Sequence, residues 1–156
     1  MVQILRPVSD INNDWYCSTG TDRYALIGEV TPSSTDYIFG GSGFYQECKL
    51  STPGIPPSGE GILRFIAKTS GTMTIIPSIR QGLNAIKTGS SVTPSTSYGE
   101  YTLSLSSAEM AKITNWSDVR VRFTEGTGGG VAYVSRAVLE VPDGGSAMGL
   151  EMGCAF

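Results

Sequence analysis

The 156-residue sequence contains no histidine, and this absence removes several classes of chemistry. Serine and cysteine triads use histidine as their base, and zinc sites nearly always include it as a ligand. Acid–base catalysis would have to rely on carboxylates, as in glycoside hydrolysis. No pair among the acidic candidates has a distinctive context, so we predict no enzyme activity, no metal site and no cofactor. Those candidates are Asp14, Asp22, Glu29, Glu47 and Glu100.

Cysteine and charged residues are also scarce. Cys17, Cys48 and Cys154 are odd in number, far apart and without a CxxC motif, which does not fit a disulfide framework. We expect reduced thiols, with Cys17 and Cys48 as small core residues. Charged residues make up 16% of the chain, the net charge is −3 and the eleven basic residues are scattered. Such a distribution excludes a surface built to bind nucleic acid.

Long hydrophobic runs are missing as well. No apolar run reaches the ~18 residues of a membrane span. The first residues, MVQILRP, lack the charged start and long apolar centre of a signal peptide. These features predict a soluble protein with no membrane partner, made in a cytoplasm and kept there until it is assembled or released.

What the sequence does contain is short strand-like segments separated by turns rich in glycine. GILRFIAKTSGTMTIIPSI predicts two strands joined at Ser70-Gly71, with Leu63, Phe65 and Ala67 on one face. RYALIGEV also has the composition of a strand, and GTGGG is typical of a flexible hairpin tip. About eight such strands, at nearly regular spacing, predict an all-β antiparallel sandwich of the jelly-roll type.

One short helix interrupts this pattern. Ser106 and Glu109 match the capping box, in which each side chain accepts a backbone N–H of the first turn. We expect the helix to cover an open end of the sandwich with Met110, Ile113 and Trp116. The chain then divides into an N-terminal arm and entry segment (1–16), the sandwich (17–142) and a Gly-rich C-terminal tail (143–156). Within the arm, VQILRPV fits either an edge strand or a loose arm, since proline cannot donate a ladder hydrogen bond.

Two groups of side chains are candidates for binding. Several aromatic residues form either a sugar-stacking platform or, as we favour, part of the core or an interface: Trp15, Tyr16, Tyr98, Tyr101 and Trp116. Apolar residues near both termini would be sticky if left free, so they either fold back on the sandwich or contact a neighbouring copy or larger surface. We predict partner contacts at Val2, Ile4, Leu5, Leu150, Met152 and Phe156.

The chain resembles a family of small bacteriophage virion proteins with a jelly-roll sandwich, several of which decorate capsids. The resemblance spans roughly Asp14 to Pro142, and its most specific features are a helical turn between strands and the SDVRVRF strand. The segments that carry it are DWYCSTG, GEVTPSSTDYI, GILRFIAKTSGTMTIIPSIRQG, LNAIKTG, YTLSLSSAEMAKITNWSDVRVRF and RAVLEVP.

The resemblance implies a structural role on the virion. Such a cement protein binds the outside of the expanded head as a homo-oligomer, a dimer or trimer, and bridges subunits of the major capsid protein. Many equivalent contacts would then give strong retention. Two alternatives stay open: a tail, neck or fibre component, and a carbohydrate-binding adhesion module for a host-surface carbohydrate.

Overall fold

The computed structural model describes residues 2–40 and 44–143, which fold into two antiparallel sheets. Two α-helices are present, α1 (Arg23–Ile27) and α2 (Ser107–Met110), and a 3-10 helix spans Trp116–Asp118. The strands are β1 (Val2–Leu5), β2 (Pro7–Asn13), β3 (Tyr16–Cys17), β4 (Ile38–Phe39), β5 (Tyr45–Leu50), β6 (Gly61–Thr69), β7 (Ile75–Gln81), β8 (Asn84–Thr88), β9 (Gly99–Leu105), β10 (Val119–Glu125) and β11 (Ala132–Pro142).

The strands are shared between sheet I and sheet II. Sheet I has the order β3-β4-β11-β6-β9, with β1 also paired to β11, and sheet II has the order β2-β5-β10-β7-β8. The predicted all-β sandwich is confirmed, with eleven strands in the described residues where about eight were expected. Two of the additional strands, β3 and β4, have two residues each, which is too short for a periodic pattern to reveal.

Alternating residues of the two sheets build the core between them. In β6 the predicted inward face is confirmed, because Leu63, Phe65 and Ala67 are fully buried while Arg64 faces outward. The Phe65 ring packs on Phe123 of sheet II, with ring centroids 5.1 Å apart. Burying a side chain of this size contributes about 1.5–3 kcal/mol, so the interface between the sheets is the main source of stability.

The segment RYALI forms helix α1, and its prediction as a strand is wrong. The Asp10 carboxylate of β2 accepts the backbone N–H groups of Arg23 and Tyr24 at 2.9 and 2.8 Å. These are otherwise unpaired groups of the first helical turn. Leu26 and Ile27 are buried in the core. A cap supplied by a distant strand thus decides the local conformation, and the local sequence does not contain that information.

The predicted hairpin at Ser70-Gly71 is also wrong, because β6 belongs to sheet I and β7 to sheet II. The connection 70–74 packs instead on the GTGGG connection between β10 and β11. The backbone N–H of Thr72 donates to the Gly129 carbonyl at 2.9 Å, and the backbone N–H of Thr74 donates to the Thr127 carbonyl at 2.9 Å. Gly128 has φ 119°, and a Cβ there would overlap the Thr72 carbonyl. GTGGG is therefore a closely packed crossing between the sheets, not a free hairpin tip.

The segment 1–16, which the sequence assigns to an N-terminal arm and entry segment, contains two strands that pair in the two sheets. Val2–Leu5 pairs along β11 in sheet I, and Pro7–Asn13 pairs along β5 in sheet II. Leu5 is 2% exposed because this pairing turns its side chain into the core. The sequence left VQILRPV open as either an edge strand or a loose arm, and the structure shows it in strands.

Helix α2 has the predicted capping box. Ser106 Oγ accepts the Glu109 N–H at 3.1 Å, and the Glu109 carboxylate accepts the Ser106 N–H at 2.8 Å. Met110 and Ile113 are buried and Trp116 packs against the core, as expected for a cover at one end of the sandwich. Within the described residues, no helix is long and apolar enough to cross a membrane.

Candidate functional site

A continuous row of side chains crosses the outer face of sheet I at one register level. Tyr16 of β3 pairs with Phe39 of β4, and Phe39 pairs with Tyr133 of β11. Tyr133 pairs with Lys68 of β6. The register of β6 and β9 brings Tyr98, one residue before β9, beside Lys68. We call this set of five residues the aromatic row: Tyr16, Phe39, Tyr133, Lys68 and Tyr98.

The row faces away from the core, since its sequence neighbours Ile38, Ala67 and Val134 point inward and are fully buried. Successive side chains of a strand point to opposite faces, so the row must be on the outer face. Four inter-strand spacings of about 4.8 Å give the row a length of about 19 Å. It extends from β3 to β9, the two end strands of the sheet order.

The rings of the row pack against one another. The Phe39 centroid lies 5.5 Å from Tyr16 and 5.9 Å from Tyr133. Tyr37 braces the row from one side, at 6.0 Å from Phe39 and at 5.4 Å from Tyr133 in an edge-on contact. Such contacts hold the rings in place, while Tyr16 at the end of the row is 59% exposed.

Lys68 interrupts the rings with a positive charge. Its Nζ lies 4.7 Å from the Tyr98 ring centroid and 5.1 Å from that of Tyr133. Both distances are in the range of cation–π attraction, so the ammonium is held between two rings.

Tyr98 has a hydroxyl with unused hydrogen-bonding capacity. Its oxygen is buried and has no hydrogen-bond partner within the described residues. Burial, and then the nearby phenols of Tyr37 and Tyr133, raise the pKa of Tyr98 to about 12. The phenol therefore stays neutral at neutral pH, and its oxygen is enclosed by the protein.

A pocket of about 450 Å³ adjoins the Tyr98 end of the row. Pro32, Ser33 and Ser34 form one side of this pocket. The Ser33 hydroxyl accepts the backbone N–H groups of Thr35 and Asp36 at 3.2 and 3.3 Å, which stabilises the turn of this loop. The pocket combines hydroxyl, backbone and apolar groups, and its lining residues are Pro32, Ser33, Ser34, Ile66, Tyr98, Gly99, Glu100 and Ser135. A ligand on the row can therefore extend a side group into it.

The sequence predicted part of this site. Tyr16 and Tyr98 belong to the row, but Trp15 is 0% exposed, Tyr101 packs on Phe65 and Trp116 packs on the core. These three confirm core packing, the interpretation that the sequence favoured. The residues that sequence reasoning missed are Tyr37, Phe39, Lys68 and Tyr133. In the sequence, three of these residues are marked only by a buried aliphatic neighbour: Phe39, Lys68 and Tyr133. Their alignment in one row becomes visible only when the register of the strands is known.

Two of the acidic candidates are held in ion pairs with arginines. Glu47 is buried among three arginines: Arg122 Nη2 at 2.7 Å, Arg120 Nη1 at 2.9 Å and Arg80 Nε at 3.6 Å. Glu100, the carboxylate that lines the pocket, is ion-paired with Arg64 at 3.2 Å.

Three other acidic candidates have different surroundings. Glu29 lies beside Asp36, and its burial, together with the hydrogen bond and charge of Asp36, raises the pKa of Glu29. Asp14 and Asp22 are exposed in the segments that flank β3. Among the described residues, no three His, Cys, Asp or Glu side chains are grouped to hold a metal ion.

The cysteines and the predicted partner contacts differ in how far they are buried. Cys48 is a buried core residue, and burial followed by the Asp10 charge raises the pKa of its thiol; Cys17 is half-buried. Val2 and Ile4 are 58% and 36% exposed on β1, so they are available for contact, whereas the buried Leu5 is not. Leu150, Met152 and Phe156, like Cys154, lie outside the described residues.

Comparisons with known proteins identify the fold. No protein-family model and no curated protein matches the chain. Among solved structures, it is similar to the C-terminal CBM6 of LamC, a marine laminarinase from Zobellia galactanivorans, with TM-score 0.52 and 9% identity over 91% of this chain and 100% of that one. It is also similar to a family 35 carbohydrate-binding module from Clostridium thermocellum, with TM-score 0.52 and 14% identity over 90% and 97%. At these identities the likeness establishes a shared β-sandwich.

Proposed function

We propose that the chain is a non-catalytic carbohydrate-binding module whose aromatic row binds a glycan chain. The observation that carries the proposal is the row itself, with outward rings that cross sheet I from β3 to β9 at one register level. Several stacking positions in line match the repeating rings of a polysaccharide better than they match a single small molecule.

The chemistry of the row fits sugars. A sugar ring has faces formed by C–H groups and a rim of hydroxyls, so it stacks on an aromatic ring while its rim forms hydrogen bonds. The serines of the pocket are suitable partners for that rim. Each stacked ring contributes about 1 kcal/mol, so affinity depends on how many sugar units are bound at once.

The two carbohydrate-binding modules with the same fold support the proposal, because they are precedents for sugar binding on such a scaffold. Glu100, the carboxylate among the lining residues of the pocket, is held by Arg64. The arrangement therefore supplies groups for binding and not the two carboxylates of a glycoside hydrolase.

Affinity measurements on single variants test the proposal. Calorimetry against a panel of soluble polysaccharides should find at least one ligand, and Tyr16→Ala or Tyr133→Ala should weaken its binding about fivefold to tenfold. Tyr45→Ala is the matched control. Its ring lies on the other sheet, where Arg122 stacks at 3.8 Å from the centroid, so glycan affinity should be unchanged.

Two results would overturn the proposal. One is the absence of binding to every polysaccharide of the panel. The other is binding that Tyr45→Ala weakens as much as Tyr133→Ala does, since that would place the ligand away from the row.

We also propose, as a second candidate, a virion structural protein that acts in capsid decoration or in a tail, neck or fibre. The resemblance to phage jelly-roll proteins supports it, and so do exposed apolar side chains on the consecutive edge strands β1 and β2: Val2, Ile4, Val8 and Ile11. Such side chains suit contacts with the major capsid protein or with further copies of this chain. A glycan-binding module on a virion surface would combine both candidates.

Co-sedimentation tests this second candidate. The purified protein should bind expanded phage heads that lack it at a fixed ratio to the major capsid protein, and the double variant Val2→Ser/Ile4→Ser should bind less. Thr52→Ala/Thr102→Ala, at exposed polar positions, is a control for handling and stability. No binding by the wild type would reject capsid decoration.

A further inference from the structure

The position of Lys68 in the aromatic row bears on the charge of the glycan that the row would bind. Lys68 lies at an inner position of the row, with Tyr133 on one side and Tyr98 on the other. Within the described residues it makes no ion pair, although it faces outward from the middle of a sheet. Its ammonium contacts two ring faces, which attract a cation more weakly than a carboxylate does.

The other cations on this face are already engaged. Arg64 is ion-paired with Glu140 at 2.9 Å and with Glu100 at 3.2 Å. Arg136 donates through Nε to the Glu29 carbonyl at 3.2 Å. Arg136 is hydrogen-bonded to a neutral carbonyl and lies outside the row, so Lys68 is the cation of the aromatic row that is left for an acidic ligand. The pocket carboxylate, Glu100, shares Arg64 with Glu140.

We propose that the preferred ligand of the row is an anionic linear polysaccharide, with a carboxylate or sulfate group on the sugar unit that lies over Lys68. This inference rests on the proposed carbohydrate-binding function. Because rings flank the ammonium on both sides, the charged unit is an internal one and the chain continues over Tyr133 and Phe39. The hydroxyls of a neutral sugar in the same place could accept hydrogen bonds from the ammonium, but they would give it no counter-charge.

Matched pairs of charged and neutral glycans test the inference. Suitable probes are oligogalacturonides with their methyl esters, and a sulfated galactan with its desulfated form. We expect the charged member of at least one pair to bind about fivefold to tenfold more tightly at low salt, and this preference to shrink at high salt. A preference in the oligogalacturonide pair would indicate a carboxylate ligand, and a preference in the galactan pair would indicate a sulfate ligand.

Variants of Lys68 assign the preference to this residue. Lys68→Gln should abolish the preference for the charged member, and Lys68→Arg should retain it. Lys112→Gln is the matched control, because it makes the same change in net charge at an exposed turn after α2. Circular dichroism of each variant checks that the fold is kept.

The outcomes separate this inference from the proposed function. Equal binding of charged and neutral members, weakened by Tyr133→Ala, would overturn the inference and leave the carbohydrate-binding function standing. A preference that Lys112→Gln removes as fully as Lys68→Gln would also overturn it, since the effect would then come from net charge. No binding of any probe would contradict both proposals.

Discussion

Phe39 and Tyr133 face each other across β4 and β11, with ring centroids 5.9 Å apart and an interplanar angle of 34°. This pair joins the two-residue strands at one end of sheet I to the long strands at its centre. Without it, the exposed Tyr16 would be isolated from Lys68 and Tyr98. The continuity of the aromatic row therefore depends on two residues that lie far apart in the sequence.

The first prediction concerns this pair. Phe39→Ala should weaken glycan binding about tenfold, through its own lost contact and through loosening of the Tyr133 ring. In a double-mutant cycle with Tyr133→Ala, the combined loss should be smaller than the sum of the two single losses. Strictly additive losses, measured by calorimetry, would contradict a row that acts as one unit.

A second prediction concerns the buried carboxylate of sheet II. Glu47 is 2% exposed and contacts three arginines, so Glu47→Gln leaves buried positive charge without compensation. We expect a loss of about 3–5 kcal/mol in the free energy of unfolding, measured by urea denaturation. Glu100→Gln, which breaks an exposed pair with Arg64, should cost less than about 1 kcal/mol. Similar losses for both would reject the structural role of Glu47.

A third prediction compares two neighbouring glycines. Gly128 has φ 119° and no room for a Cβ beside the Thr72 carbonyl, whereas a Cβ on Gly129 would meet nothing within 4 Å. Gly128→Ala should therefore destabilise the protein by more than about 1 kcal/mol, and Gly129→Ala should be nearly neutral. Thermal unfolding measures both. Equal melting temperatures for the two variants would mean that the crossing of the two connections is looser than described.

A fourth prediction is a dependence of stability on pH. Burial raises the pKa of Glu125 above its ordinary 4.5, although the Ala132 N–H partly opposes the shift, and Oε1 has no partner within the described residues. The folded state therefore binds this proton more tightly than the unfolded state. The resulting stabilisation is complete below the unfolded pKa and is lost as pH rises through the folded one.

Glu125→Gln should remove this loss. The variant should be close to the wild type in stability at pH 4 and more stable by about 1 kcal/mol at neutral pH, because no carboxylate then has to ionise in a buried site. Thermal melts across this pH range measure the difference. A variant less stable than the wild type at neutral pH would contradict the assignment.

How much the sequence predicted depends on how far each feature reaches along the chain. The inward face of β6 and the Ser106–Glu109 capping box are local patterns, and both are confirmed. Helix α1 could not be predicted from its own segment because its capping residue, Asp10, lies in strand β2. The hairpin was wrongly predicted because a turn signal at Ser70-Gly71 does not say which sheet the next strand joins.

The aromatic row was only partly predicted for the same reason. Tyr16 and Tyr98 were noticed as aromatic residues, but their alignment with Phe39, Tyr133 and Lys68 is a property of the strand register. In an antiparallel sandwich, a shift of one residue would move each of these side chains to the opposite face. The sequence contains the rings, and the fold brings them into a line.

The central claim, that the aromatic row binds glycan, is tested most directly by a two-dimensional NMR titration with the tightest-binding polysaccharide of the panel. Perturbed amide and side-chain signals should be confined to the row, the adjoining pocket and Tyr37. The signals of Tyr45, Glu47 and Arg122 on sheet II should not move. Perturbations centred on sheet II, or none at a saturating concentration, would contradict the account.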